Sequence, residues 1–151
     1  LAKKGEPLLN GRPSTFNIDD FVEYRSGKDI CIIGVGTILS ECLHAADLLG
    51  NDIAAEVIGF PVFKPLNETR LVDLLRRFSF IATIEEHSSC GGLASVVGEV
   101  ISRNGLNVKL LKFALPEGFN RTGLQVDLQK LCGLESTQIA LKIKDVVLKS
   151  G

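Results

Sequence analysis

From Ile30 onward the chain alternates short apolar runs with stretches in which apolar residues recur every three or four positions. Ile30 to Val35 has the length and content of a buried strand. After Gly36, a helix from about Thr37 to Leu49 places Leu39, Cys42, Leu43, Ala46 and Leu49 on one stripe. Ile53 to Phe60 predicts the next strand, and Pro61 and Pro65 stiffen the loop after it. Glu68 to Phe78 reads as a helix with Leu71, Leu74, Leu75 and Phe78 on one face. A strand over Phe80 to Glu85, a helix led by Gly92 and a strand over Val108 to Phe113 continue the alternation, and helices over Val126 to Leu131 and Ser136 to Leu148 close it. Strands separated by helices in this way predict a parallel sheet covered on both faces, a three-layer α/β/α domain. Phe21 to Tyr24 adds a short candidate strand, closed by Ser26, Gly27 and Lys28. Its direction is open. Leu1 to Thr15 mixes breakers and charges without a period, which predicts a linker or the tail of a preceding domain, with the folded domain over 16–151.

The segment FIATIEEHSSCGGLASVVGEV, Phe80 to Val100, carries the strongest functional signal. Glu85, Glu86 and His87 fall where the strand is expected to end, so two acids and a histidine are expected together at the carboxyl edge of the sheet, where open α/β sheets bind ligands and partners. Gly91 and Gly92 then permit a tight turn, having no side chain to oppose positive φ or close approach. Histidine beside carboxylates is a candidate general base. The plainer reading, a hydrogen bond that fixes the turn or a contact at an interface, is favoured. Glu85, Glu86, His87, Gly91 and Gly92 are therefore candidate interface or turn residues, and no catalytic, cofactor-binding or metal-ligating residue is assigned.

The length of 151 residues suits one domain able to bury roughly 70% of its unfolded surface, and 45% hydrophobic with 23% charged residues is ordinary globular composition. A net charge of -1 gives no general attraction to nucleic acid or to an anionic membrane. No apolar run approaches the ~20 residues that span a bilayer, and the expected location is cytoplasmic. The sequence has no methionine, which suggests a piece of a longer protein. Cys31, Cys42, Cys90 and Cys132 are widely spaced and build no zinc motif. Cys31 and Cys42 read as packed thiols. Cys90 lies near a helix N-terminus that lowers a thiol pKa, with Glu85 and Glu86 opposing it, and a structural role is favoured.

Other motifs have plain readings. Gly34 and Gly36 in IIGVGTIL suggest a dinucleotide turn, but Leu39 stands where the third glycine belongs and the next strand ends in Phe60 and Pro61 rather than an acid. A tight turn with Thr37 capping the helix is the better account. His44 lies opposite the apolar stripe of its helix, and Arg70, Arg76 and Arg77 read as a solvated face.

The succession GKDICIIGVGTILSECLHAADLL, KPLNETRL, IATIEEHSSCGGLASVVGEVI, FALPEGFNRTG and LCGLESTQIALKIKDVV resembles the C-terminal domain of transketolase-type thiamine diphosphate enzymes from about Gly27 to Val147. Within that family it is most similar to transketolase, especially the kind whose C-terminal half is a separate subunit. Deoxyxylulose 5-phosphate synthase is the near alternative, and a freestanding ligand-binding regulatory module is a further one. Ala94 stands where the family often has another glycine, and Glu135 where a helix-capping Thr or Asp is common. The resemblance implies a mixed, mostly parallel five-stranded sheet with its N-terminal strand antiparallel. It also implies that thiamine diphosphate and a divalent metal, magnesium, are held by the parent's other domains and not by this chain. The implied partners are those cofactor-binding domains, in a homodimer or a split-subunit heteromer.

Overall fold

The structure, a computed structural model, describes residues 21–61, 64–118 and 123–149. The expected linker lies outside the described residues. Five strands, β1 (Val22–Arg25), β2 (Ile30–Gly34), β3 (Ala55–Gly59), β4 (Phe80–Ser88) and β5 (Lys109–Leu115), form one sheet in the order β1-β3-β2-β4-β5. The β2–β3, β2–β4 and β4–β5 pairs are parallel, while β1 runs antiparallel to β3, with Val22 opposite Gly59. The helices are α1 (Leu39–Leu49), α2 (Glu68–Leu75), α3 (Leu93–Arg103), α4 (Gln125–Leu131) and α5 (Ser136–Leu148).

Successive residues of a strand face opposite sides, and β2 shows this directly. Ile30 and Ile32 join Ala82, Ile84, Cys42, Ala46, Ile139 and Ile143 in the core under α1 and α5. Cys31 and Ile33 join Ile81, Leu71, Leu75, Leu93 and Val97 in the core under α2 and α3. The expected three layers are present. Gly34 is the last residue of β2 rather than part of the turn, and a Cβ there would lie 2.7 Å from Cys42 Sγ and 3.0 Å from Leu39 Cδ2. It lets α1 lie close on the sheet. The turn itself belongs to Gly36, at φ +75°.

Several expectations need correction. Thr37 does not cap α1: it sits within a short 3-10 turn, Gly36–Ile38, and α1 begins after Ile38 without a side-chain cap. Its hydroxyl is used elsewhere, as described below. The α2 helix ends at Leu75, although Phe78 stays buried beyond it. Arg77 is no solvated bystander. Its guanidinium donates to both carboxylate oxygens of Glu56, at 3.0 and 2.5 Å, and Glu56 is fully buried in the middle of β3. A buried carboxylate requires such a partner. Glu135 precedes α5 without capping it; Glu41 of α1 reaches across, accepting from the Ser136 amide at 2.8 Å.

Candidate functional site at the carboxyl edge

β4 runs three residues past its expected end, so Glu85, Glu86 and His87 lie within the strand, in the stretch where its register with β5 shifts between Ile84 and Ser88, and adjacent residues of a strand face opposite sides. The two acids consequently serve opposite layers. Glu85 is buried on the α3 side, where its Oε2 accepts from the Leu93 amide at 2.7 Å and its Oε1 from the Ala94 amide at 2.9 Å. Those are unpaired donors of the first turn of α3, and the positive end of the helix dipole favours an anion there. A strand residue thus caps the following helix.

This contact explains the glycine pair. Gly92 has φ −94°, a conformation open to any residue, but a Cβ on it would lie 1.9 Å from Glu85 Oε2 and 2.7 Å from Cδ. Close approach alone dictates the glycine. Gly91 is the one that needs positive φ, at +80° with open space around it. Its amide donates to Ser95 Oγ at 2.9 Å, tying the turn to α3.

Glu86 turns toward the other layer. Its Oε2 accepts from Thr37 Oγ1 at 2.8 Å, while Oε1 accepts from Gln125 Nε2 at 2.8 Å and Gln129 Nε2 at 3.0 Å. One carboxylate gathers the segment after β2, the end of β4 and helix α4. The attachment matters because α4 has no buried residue, and Leu124, Val126 and Leu131 point outward at 75%, 70% and 63% exposure. Beneath α4 is a cavity of 350 Å³, lined by Glu86, Gln125 and Gln129 on its polar side and Leu115, Leu128 and Leu134 on its apolar side.

The edge therefore does not present the two acids and the histidine together. His87 alone of the three is exposed, with Nδ1 3.3 Å from the Ser88 carbonyl oxygen. Cys90 is also exposed, and its thiol donates to Glu117 Oε1 at 2.8 Å. That hydrogen bond, with the negative charge of Glu117, raises the thiol pKa. The opposing acid is Glu117, not Glu85 or Glu86, and a neutral thiol is a poor nucleophile. Cys31 and Cys42 are buried thiols whose pKa values burial also pushes up. His44 is exposed on α1. Sequence reasoning missed Thr37, Gln125 and Gln129 as partners of Glu86, since no local spacing links residues so far apart in the chain.

With the geometry established, known proteins place the chain. The model of the transketolase C-terminal domain matches residues 20–139. The chain belongs to the transketolase C-terminal domain family. A putative transketolase C-terminal section from Methanocaldococcus jannaschii is 35% identical over 142 residues, covering 93% of this chain and 44% of that protein. A 1-deoxy-D-xylulose-5-phosphate synthase from Syntrophotalea carbinolica is 33% identical over 122 residues, 80% of this chain and 19% of the synthase. Among solved structures, a split-gene transketolase described as an inactive β4 tetramer superposes with a TM-score of 0.84 at 28% identity, covering 95% of this chain and 47% of that one. Transketolase from Campylobacter jejuni shares the fold, with a TM-score of 0.63 at 14% identity over 89% of this chain and 20% of that one. The chain spans less than half the length of these relatives. Among the described residues, no helix of this transketolase C-terminal domain is long and apolar enough to cross a membrane.

Proposed function

We propose that the chain is the C-terminal supporting section of a transketolase-type enzyme that passes two-carbon ketol units between sugar phosphates, with thiamine diphosphate held by the preceding domains. The observation that carries this reading is the commitment of both edge acids to donors of their own chain. Glu85 holds the first turn of α3, and Glu86 holds Thr37 and α4. These acids do not fit a site for thiamine diphosphate or magnesium, because their acceptor oxygens already serve internal donors. Among the described residues, no group of three or more His, Cys, Asp or Glu could hold a metal ion. The chemistry belongs to the cofactor, an electron sink for a carbanion. This chain's part is to keep a rigid edge against its neighbours.

The neighbours in this reading are the cofactor-binding domains, joined as a split-subunit heteromer or within a homodimer. The 47% coverage of the split-gene transketolase supports a section that works in an assembly. His87, exposed on the rim, is the one of the three edge residues open to such a neighbour. In the assembled enzyme at saturating thiamine diphosphate and magnesium, His87→Ala and Glu86→Ala should leave turnover within about twofold while weakening subunit association or cofactor retention. Loss of a general base removes about two to four orders of magnitude in rate. Such a collapse with the assembly intact by sedimentation would move His87 into the active site and overturn the proposal. The 33% identity to 1-deoxy-D-xylulose-5-phosphate synthase supports a second reading, that the parent is such a synthase. Product analysis of the assembled enzyme separates the two.

A further inference from the structure

Helix α4 rests on the domain by its polar side. Gln125 and Gln129 reach Glu86, whereas Leu131, and Leu124 just before the helix, are 63% and 75% exposed. Beneath the helix there is room, the 350 Å³ cavity whose apolar wall is Leu115, Leu128 and Leu134. Leu124, Leu128 and Leu131 stand four and three positions apart, so they belong to one side of the helix, roughly a third of a turn from the two glutamines. Leu128 is at the border, already in the cavity wall. The exposed leucines therefore lie next, on the helix surface, to the one that faces the void.

We infer that α4 has two seats on the domain. The first is the clasp to Glu86; the second is reached by rolling the helix about its own axis by roughly a third of a turn, so that Leu124 and Leu131 join Leu128 in the cavity and the glutamines turn to water. The inference goes beyond the supporting role above and does not rest on it. A helix of seven residues is too short to stand alone, so α4 persists only where something holds it. The two seats offer holds of the same order: hydrogen bonds from two carboxamides to a carboxylate in one, burial of two leucines in the other. Rolling strands nothing. Thr37 keeps its bond to Glu86 in both seats, so the sheet edge is unchanged, and the released carboxamides are hydrated. Glycines bracket the moving piece, Gly123 before it and Gly133 after it, the latter at φ +73°, and such residues absorb the dihedral changes of a hinge.

Glu86→Ala tests this directly, since it removes the clasp and leaves the cavity. In leucine-methyl NMR of the chain, the Leu131 methyls should then approach those of Leu115 and Leu134 in nuclear Overhauser spectra. Their broadening by a soluble paramagnetic agent should fall to that of the fully buried Leu134. The amides of Gln125–Leu131 should stay helical. In the unaltered chain, relaxation dispersion should detect exchange between the seats on the microsecond to millisecond scale at the side-chain amides of Gln125 and Gln129 and at the Leu131 methyls, with β2 silent. Leu131 methyls that stay as accessible in Glu86→Ala as in the unaltered chain would overturn the inference. So would melting of α4 in that variant, which would mean that the clasp is its only seat, or an unaltered chain without dispersion at these groups.

Discussion

Replacing Gly92 by alanine should destabilise the domain far more than one methyl group suggests. The new Cβ would overlap Glu85 Oε2 at 1.9 Å, and the carboxylate, 1% exposed, cannot retreat without leaving the Leu93 and Ala94 amides. A hydrogen bond to a charged group contributes about 1.5–3 kcal/mol. Losing two, with the acid still buried, should cost about 3–5 kcal/mol. For a chain of this size that lowers the melting temperature by about 10 °C. Denaturant titration of Gly92→Ala, Glu85→Ala and the double variant isolates the cause. If the clash with the carboxylate is the mechanism, the double variant should be about as stable as Glu85→Ala alone, giving a coupling of at least ~2 kcal/mol. Gly91→Ala is the control: its cost of about 1–2 kcal/mol comes from positive φ and should not depend on residue 85. His87→Ala, on the exposed rim, should stay within about 0.5 kcal/mol. Strict additivity of Gly92→Ala and Glu85→Ala, or a loss for His87→Ala equal to that for Gly92→Ala, would refute the reasoning.

Two further outcomes follow from paired groups. Arg77→Ala should cost about 3 kcal/mol by stranding the buried Glu56 carboxylate, and Glu56→Leu added to it should recover much of the loss in the same denaturant assay. For Cys90, the raised pKa means that the thiolate needed for alkylation becomes abundant only above the ordinary thiol range, so reaction with iodoacetamide near pH 7 should be slow and rise with pH. Glu117→Gln should shift that rise to lower pH, and an unchanged rate profile for the variant would contradict the assigned cause.

Much of the architecture was legible because burial imposes a period on the sequence. Ile30 to Val35 is apolar without interruption since β2 is central and covered on both faces, and the stripe through Leu71, Leu74 and Leu75 marks α2 for the same reason. The misreadings occur where a distant partner changes the meaning of a polar residue. Glu85 and Glu86 read as the end of β4, yet the strand continues because each face supplies donors, one from α3 and one from Thr37 and α4. Glu56 sits inside an apolar run with no local partner, and Arg77, which pairs with it, lies 21 positions along the chain. Helix α4 departs from the usual pattern: Gln125 and Gln129 face the domain together with Leu128, while Val126 and Leu131, and Leu124 just before the helix, face outward. A pattern that assigns apolar residues inward identifies that helix and places Leu128, but misplaces Val126 and Leu131.

The strand order places the reversal of winding between β2 and β4, and in an open sheet the crevice between the carboxyl ends of two such strands is the natural place for a small ligand. Here that crevice is spanned by a bridge of the chain's own side chains, beside the 350 Å³ cavity under α4. Thr37, which follows β2, and Glu86, near the end of β4, are bridged by the amide of Gln125. The same carboxamides form the polar wall of that cavity, already bonded to Thr37 and Glu86. Between the two strand ends the fold thus carries an internal clasp that ties three separate stretches of the chain together.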